Sequence, residues 1–226
     1  MEEALRLEFN DWARAGRGES MERGHRPTGE QAIELMNLQP DSRVLDLGCG
    51  SGWASRLIAD RVKNGRVVGL DISDEMIALA KQTSTRYPNL TYEVGSAEHL
   101  PFADGEFTDA FSMESIYYYE DMVGALGEVH RVLEAGGLFV AVIDLYQENE
   151  PSRQWIEQLK IPVKFLSIAQ YHELFKVAGF VDCQDQRLLD PTPIDKNYSG
   201  GSFSTREDYL KHKQAGSLMM SGRVKA

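Results

Sequence analysis

The run Val44-Leu45-Asp46-Leu47 is short and apolar, and it stops on three glycines at alternate positions, Gly48, Gly50 and Gly52. A helical period follows, with Leu57 and Ile58 between Ala54 and Arg61. Glycines spaced this way let a chain turn tightly and bring its backbone against a bound group. Strand, glycine turn and helix in that order form the opening unit of an open α/β sheet, whose ligands sit beyond the carboxyl ends of the strands.

The rest of the chain repeats the alternation. Short apolar runs recur at 67–70, 90–94, 107–113 and 138–143. Between them lie helical patterns at 74–84, with Ser73 as its cap, and at 122–133. Strands separated by helices imply a mostly parallel sheet with right-handed crossovers, and strands apolar on both faces imply helices on both sides. The expected fold is therefore α/β: a Rossmann-like open twisted sheet in a single domain over 1–226. Within it, 1–39 form N-terminal helices and a lid, 40–145 the core, 146–166 an insertion, and 167–226 the remainder of the sheet. Leu5, Phe9 and Trp12 share one helical face. The segment 15–29 holds four glycines and reads as a loop or loosely held lid, with Pro27 opening the next helix. Strands are expected at 181–188 and, more weakly, at 218–224. The segment 190–204 is turn-rich.

Charge narrows the function. Lys plus Arg is 24 against 35 for Asp plus Glu, a net charge of -11, which opposes a nucleic-acid groove and an anionic membrane surface. No run is long and apolar enough to span a bilayer, and Met1-Glu2-Glu3-Ala4 lacks an apolar signal core. Cys49 and Cys183 cannot build a disulfide framework or a cysteine-rich metal site. A cytoplasmic protein is expected, with no nucleic acid and no membrane span. The five histidines show no ligand cluster, so no metal is expected.

Three ligand classes use such glycine loops. Trp53-Ala54 follows Gly52 where a phosphate-loop nucleotidase needs Lys and then Ser or Thr. A dinucleotide site wants its third glycine five positions after the first, and here the span is four. Asp46, two residues before Gly48, would face the pyrophosphate and repel it, whereas it would attract an ammonium or sulfonium. Asp71 ends the second strand, where a carboxylate can accept from two ribose hydroxyls.

These residues resemble the class I S-adenosylmethionine-dependent methyltransferases, especially the small-molecule branch that includes quinone-biosynthesis enzymes. Residues 44–52 are similar to that family's first motif and 68–73 to its second. Residues 95–102 resemble its third motif, and 128–137 the helix-to-strand run before its fifth strand. The resemblance implies S-adenosyl-L-methionine as cofactor and a small-molecule acceptor. It implies that the backbone of Gly48, Cys49, Gly50 and Gly52 lies against the methionine and ribose, with Asp46 near the amino group. Asp71 would take the ribose hydroxyls, Ile72 would pack on the adenine, Ala97 and Glu98 would border its edge, and Ser112 would face the methionine. Many relatives carry Asp where this chain has Ser96, a weaker acceptor for the adenine amino group.

Candidates for catalysis are Glu114, Tyr118 and His25. Glu114 begins a run with Tyr117, Tyr118 and Tyr119 after the fourth strand, where the family places residues between cofactor and acceptor. The rings could line an aromatic pocket or pack beneath the lid, and Glu114 could accept a proton or bond a backbone amide. His25 could serve as a general base or be a surface histidine. Trp12 and Trp155 are candidates for capping the pocket. Cys49 reads as a small buried spacer. The residues leave open which atom is methylated. A peptide or RNA acceptor, and a non-catalytic cofactor-binding regulator, stand as alternatives.

Overall fold

Aliphatic side chains on both faces suit a strand covered on both sides, and β1 (Arg43–Leu47) runs through the sheet interior with residues 44–47 buried. In this computed structural model, which describes residues 2–226, seven strands form one sheet. The others are β2 (Arg66–Asp71), β3 (Leu90–Val94), β4 (Phe107–Met113), β5 (Leu133–Ile143), β6 (Val181–Leu188) and β7 (Ser217–Arg223). Their order is β3-β2-β1-β4-β5-β7-β6. The first five are parallel, and β7 is antiparallel to both β5 and β6. The order reverses between β1 and β4, and at such a switch point the connections diverge and leave a crevice.

Alternate side chains of each strand enter different apolar layers. Val44 and Val67 pack with Ile58 of α3 (Trp53–Arg61) and Ile77 of α4 (Asp74–Thr83). Leu45, Leu47 and Phe139 pack with Leu126 of α5 (Met122–Val132) and Phe175 of α6 (Ile168–Val177). Ser73 caps α4 as expected, accepting from Met76 N at 3.0 Å.

Two N-terminal helices cover the crevice, α1 (Glu2–Arg14) and α2 (Arg17–Leu35). The expected loop over 15–29 is wrong: the break is confined to Ala15 and Gly16, and Pro27 lies inside α2. The glycines serve contact. Gly18 lies against Ser51, and Gly29 against the Trp53 ring. Asn10, buried in α1, donates to Asp74 at 3.0 Å and accepts from the Ser73 hydroxyl at 2.6 Å, which seats α1 on the start of α4.

After β5 the chain forms a 3-10 segment (Glu150–Gln158). A helix that the sequence pattern did not reveal follows the turn-rich stretch, α7 (Arg206–Ala215), which buries none of its residues. It leads into β7, the strand expected only weakly. Neither tryptophan candidate lines the crevice. Trp155 rests on Phe203 and His212, and Trp12 donates to Glu8 at 2.7 Å beneath Arg17. Among the described residues, no helix is long and apolar enough to cross a membrane.

Candidate active site

The loop after β1 is held from beneath and from the side. Gly48 N and Cys49 N both donate to Leu70 O, at 2.8 and 3.1 Å, which bends the chain over the end of β2. Gly48, Gly50 and Gly52 take φ of 71°, 51° and 77°, a region that side chains resist. The Asp71 carboxylate accepts from Gly50 N at 2.8 Å and Ser73 N at 2.9 Å. It therefore fixes the loop as well as facing the crevice. Burial holds Asp71 above its ordinary range despite these bonds.

Asp46 is 1% exposed and accepts from the Ser55 hydroxyl. Burial pushes its pKa up to about 7, and the neighbouring Asp71 adds to the shift. A buried carboxylate whose neighbours are a hydroxyl and a second carboxylate lacks positive charge, which a cationic ligand supplies. The Cys49 thiol is buried and burial raises its pKa, so it is a spacer beside Gly69, as the sequence suggested.

One cleft runs from this loop beneath α1 and α2. Asp71, Ile72, Ala97 and Glu98 line one end, and Asp46, Gly48, Cys49 and Gly50 the middle. Two of the expected cofactor residues, Gly52 and Ser112, stand one layer back. Gly52 lies under the Tyr92 hydroxyl, where its lack of a side chain permits close packing. Ser112 hydrogen-bonds the Ser115 hydroxyl at 2.6 Å, and Ser115 is the residue at the cleft wall. Ser96 bonds the Glu2 carboxylate of α1 and accepts from Glu98 N at 3.1 Å. Glu98 in turn accepts from Glu120 N at 2.8 Å and Asp121 N at 3.2 Å, which ties the adenine-side loop to the tyrosine run.

Phe9, Met21, His25, Met113, Glu114 and Tyr118 line the far end. The tyrosines divide their roles. Tyr118 faces the cleft with its ring edge-on to Phe9 at 5.1 Å. Tyr119 reaches the Ser115 hydroxyl at 2.8 Å. Tyr117 turns inward and donates to Glu114 at 2.8 Å. Glu114 sits at φ 54°, a left-handed conformation uncommon outside glycine, and also accepts from Asp144 N. Burial pushes its pKa up to about 8, with Asp144 adding to the rise and His25 opposing it.

Asp144 was not legible in the sequence. It follows β5 and places Oδ2 3.6 Å from His25 Nδ1. Burial would lower the imidazole, but Asp144 and Glu114 outweigh it and hold His25 above its ordinary pKa. Burial would likewise raise Asp144, and His25 outweighs it and holds the carboxyl low. His25, Glu114 and Asp144 each offer a ligand atom within 4.8 Å of the others, a convergence that the sequence pattern gave no sign of.

Comparison with known proteins agrees with this geometry. The chain matches the methyltransferase-domain family over residues 45–141. It is 33% identical over 144 residues to a 2-phytyl-1,4-naphtoquinone methyltransferase of Thermosynechococcus vestitus, covering 61% of this chain and 64% of that one. It is 30% identical over 165 residues to the enzyme of that name from Nostoc sp., covering 69% of each. The chain spans between 39% and 64% of the length of several curated relatives that it matches. Among solved structures, it is similar to a Haloferax volcanii methyltransferase chain in complex with the Trm112 methyltransferase activator. That similarity has a TM-score of 0.90 and 33% identity over 97% of this chain and 98% of that one. The glycine loop with its two buried carboxylates, the strand order and these likenesses, one of them over the whole chain, agree: the chain belongs to the class I S-adenosylmethionine-dependent methyltransferases.

Proposed function

We propose that the protein transfers a methyl group from S-adenosyl-L-methionine to a small-molecule acceptor. One observation carries this reading: a single cleft joins the loop carboxylates, Asp46 and Asp71, to the apolar end that holds His25, Glu114 and Tyr118. When bound, the cofactor supplies an activated methyl group on a sulfonium. Asp46 supplies the charge that a cationic ligand needs, Asp71 accepts from vicinal hydroxyls, and Ile72, Ala97 and Glu98 border the base. The Gly48–Gly50 backbone and Ser115 hold the middle of the ligand, and Ser112 acts behind Ser115. Met113, Tyr118 and Phe9 then align the acceptor with the methyl group, and α1 and α2 exclude water. Alignment in a dry site supplies much of the rate in such a displacement.

The relatives named for naphthoquinone substrates favour a reduced quinone or similar aromatic acceptor. The net charge of -11 weighs against RNA. Full-length likeness to a chain solved with an activator protein supports a protein partner of that kind. Two free cysteines suit a cytoplasmic setting. Calorimetric titration with S-adenosylmethionine and NAD tests the cofactor, and binding of NAD alone would sink the reading. Methyl transfer to reduced quinones, compared with basic peptides, tests the acceptor. Coexpression with the activator of the same organism tests the partner.

A further inference from the structure

Three segments far apart in sequence meet at the closed end of the cleft. His25 comes from α2, Glu114 from the end of β4 and Asp144 from the end of β5. Two atoms of this group, His25 Nδ1 and Asp144 Oδ1, are buried without a hydrogen-bond partner. Buried polar atoms are normally satisfied, and exceptions cluster where chemistry is done. The His25 side chain is 24% exposed and that of Asp144 8%, so the carboxylate lies behind the ring as seen from the cleft. Nδ1 faces Asp144, which leaves Nε2 for the cavity that His25 lines.

We propose that Asp144 holds His25 as the proton acceptor for an aromatic acceptor that enters with an un-ionised hydroxyl. The assignment rests on the methyl-transfer reading and deepens it by naming the base and the protonation state in which the acceptor binds. A thiolate or an ionised phenol needs no base, so an imidazole backed by a buried carboxylate at the acceptor end has a use where a proton must leave. Phe9, Met21, Met113 and Tyr118 give that end walls suited to an aromatic ring.

The step balances. The acceptor O–H bond breaks and its proton goes to Nε2 of His25. The released electron pair, on oxygen or on the conjugated ring carbon, forms the new bond to the methyl carbon. The methyl–sulfur bond breaks and its pair stays on sulfur. Where carbon is methylated, the dienone that results loses its ring hydrogen as a proton to solvent water, the carbonyl oxygen takes back the electron pair as phenolate, and aromaticity returns. The imidazolium is held by Asp144, which acts as a positioning residue and touches no reacting atom. Glu114 is already engaged by Tyr117 and by the Asp144 backbone, so it shapes the field around His25 while its two oxygens stay in place.

Three titratable groups face His25: Asp144, Glu114, and His212 of α7, which sits behind Asp144. Asp144 and Glu114 hold the imidazole in its charged form, so the rate should climb as pH rises through the His25 pKa. Asp144→Asn removes a charge that favours imidazolium. It also presents an amide that can donate to Nδ1 and leave the proton on Nε2, the wrong tautomer for a base.

The test uses the full chain, S-adenosylmethionine, and menadiol and catechol as probes under anaerobic conditions, read as S-adenosylhomocysteine formed. Wild type should methylate at least one probe. His25→Gln should lose about 100-fold or more, and Asp144→Asn about tenfold at the plateau, its ascending limb moving to lower pH. Histidine-labelled NMR should show the His25 pKa falling in Asp144→Asn, while cofactor affinity stays within about threefold in both variants. Cofactor binding with no turnover of either probe would overturn the acceptor class. An unmoved His25 pKa, or rate losses that only follow cofactor affinity, would overturn the role of Asp144. Loss of rate in EDTA with recovery on Mn²⁺ would make the three side chains a cation site in place of a base. Absence of S-adenosylmethionine binding would instead strike the methyl-transfer reading itself.

Discussion

Gly29 of α2 lies flat against Trp53 of α3, and a Cβ at Gly29 would come within 2.5 Å of the indole Cη2. Trp53 is buried and also borders the cleft, so this contact sets how low the lid helix sits over the glycine loop. Gly29→Ala should cost about 1–3 kcal/mol from overpacking. The melting midpoint should fall about 2–4 °C for each kcal/mol, and amide exchange across 17–35 should quicken. Unchanged melting and exchange would mean that Trp53 simply turns aside.

Asp46→Asn should stabilise the empty protein while destroying its cofactor site. The folded pKa of Asp46 is about 7 against an unfolded 3.8, and that of Glu114 about 8 against 4.5. Between each pair of values the folded chain keeps a proton that the unfolded chain has lost. These two groups therefore favour folding most below pH 4 and lose that contribution as pH rises towards 8. Removing the Asp46 charge should raise the ligand-free melting midpoint at pH 8, leave it nearly unchanged at pH 4, and weaken S-adenosylmethionine binding at least about tenfold, roughly 1.4 kcal/mol. Melts at both pH values with a titration decide this, and a lower midpoint at pH 8 would refute it.

Asp71→Asn keeps the side-chain volume but gives up one accepting oxygen. Cofactor affinity should fall by about 1.5–3 kcal/mol, the range for a hydrogen bond to a charged group. The Gly50 amide should exchange faster, because it loses a charged partner at 2.8 Å. Wild-type affinity in the variant would place Asp71 outside the ligand site, with loop support as its sole duty.

Tyr118→Ala should reduce methyl transfer at least about tenfold, roughly 1.4 kcal/mol of transition-state stabilisation, while cofactor affinity moves less than about threefold. Tyr118 and Tyr119 both line the cleft, but Tyr118 stands against Phe9 while Tyr119 is tied to Ser115 beside the glycine loop. Tyr117→Phe should act differently, through the hydroxyl that Glu114 loses. It should shift the pH profile more than the plateau rate. Full turnover in Tyr118→Ala would leave the acceptor to Phe9 and Met21.

Much of the cofactor side was legible because its signals are local. The first strand, Asp46 and the three glycines occupy residues 43–52, where backbone geometry demands them in that order, and Asp71 closes the very next strand. The acceptor side was legible only in part. His25 and Glu114 stood out as single residues, but their partner Asp144 lies 30 residues beyond Glu114, and only the pairing of β4 with β5 brings the two together. Helix α2 was misread because glycine signals turns when its context is unknown, whereas Gly18 and Gly29 are there for close approach to Ser51 and Trp53. Helix α7 was missed because a helix that buries nothing writes no apolar stripe.

Thr28 of α2 and Ser217 of β7 share a buried hydrogen bond at 3.0 Å across 189 residues of sequence. Residues near the start of the chain thus rest on a strand made almost two hundred residues later. During synthesis, β1 to β5 can emerge and pair while α2 still lacks this neighbour. The roof over His25 settles only after β7 slots between β5 and β6. Methyl transfer should therefore begin only after this late strand has left the ribosome, and a nascent chain stalled before Ser217 should be silent even with its cofactor loop complete.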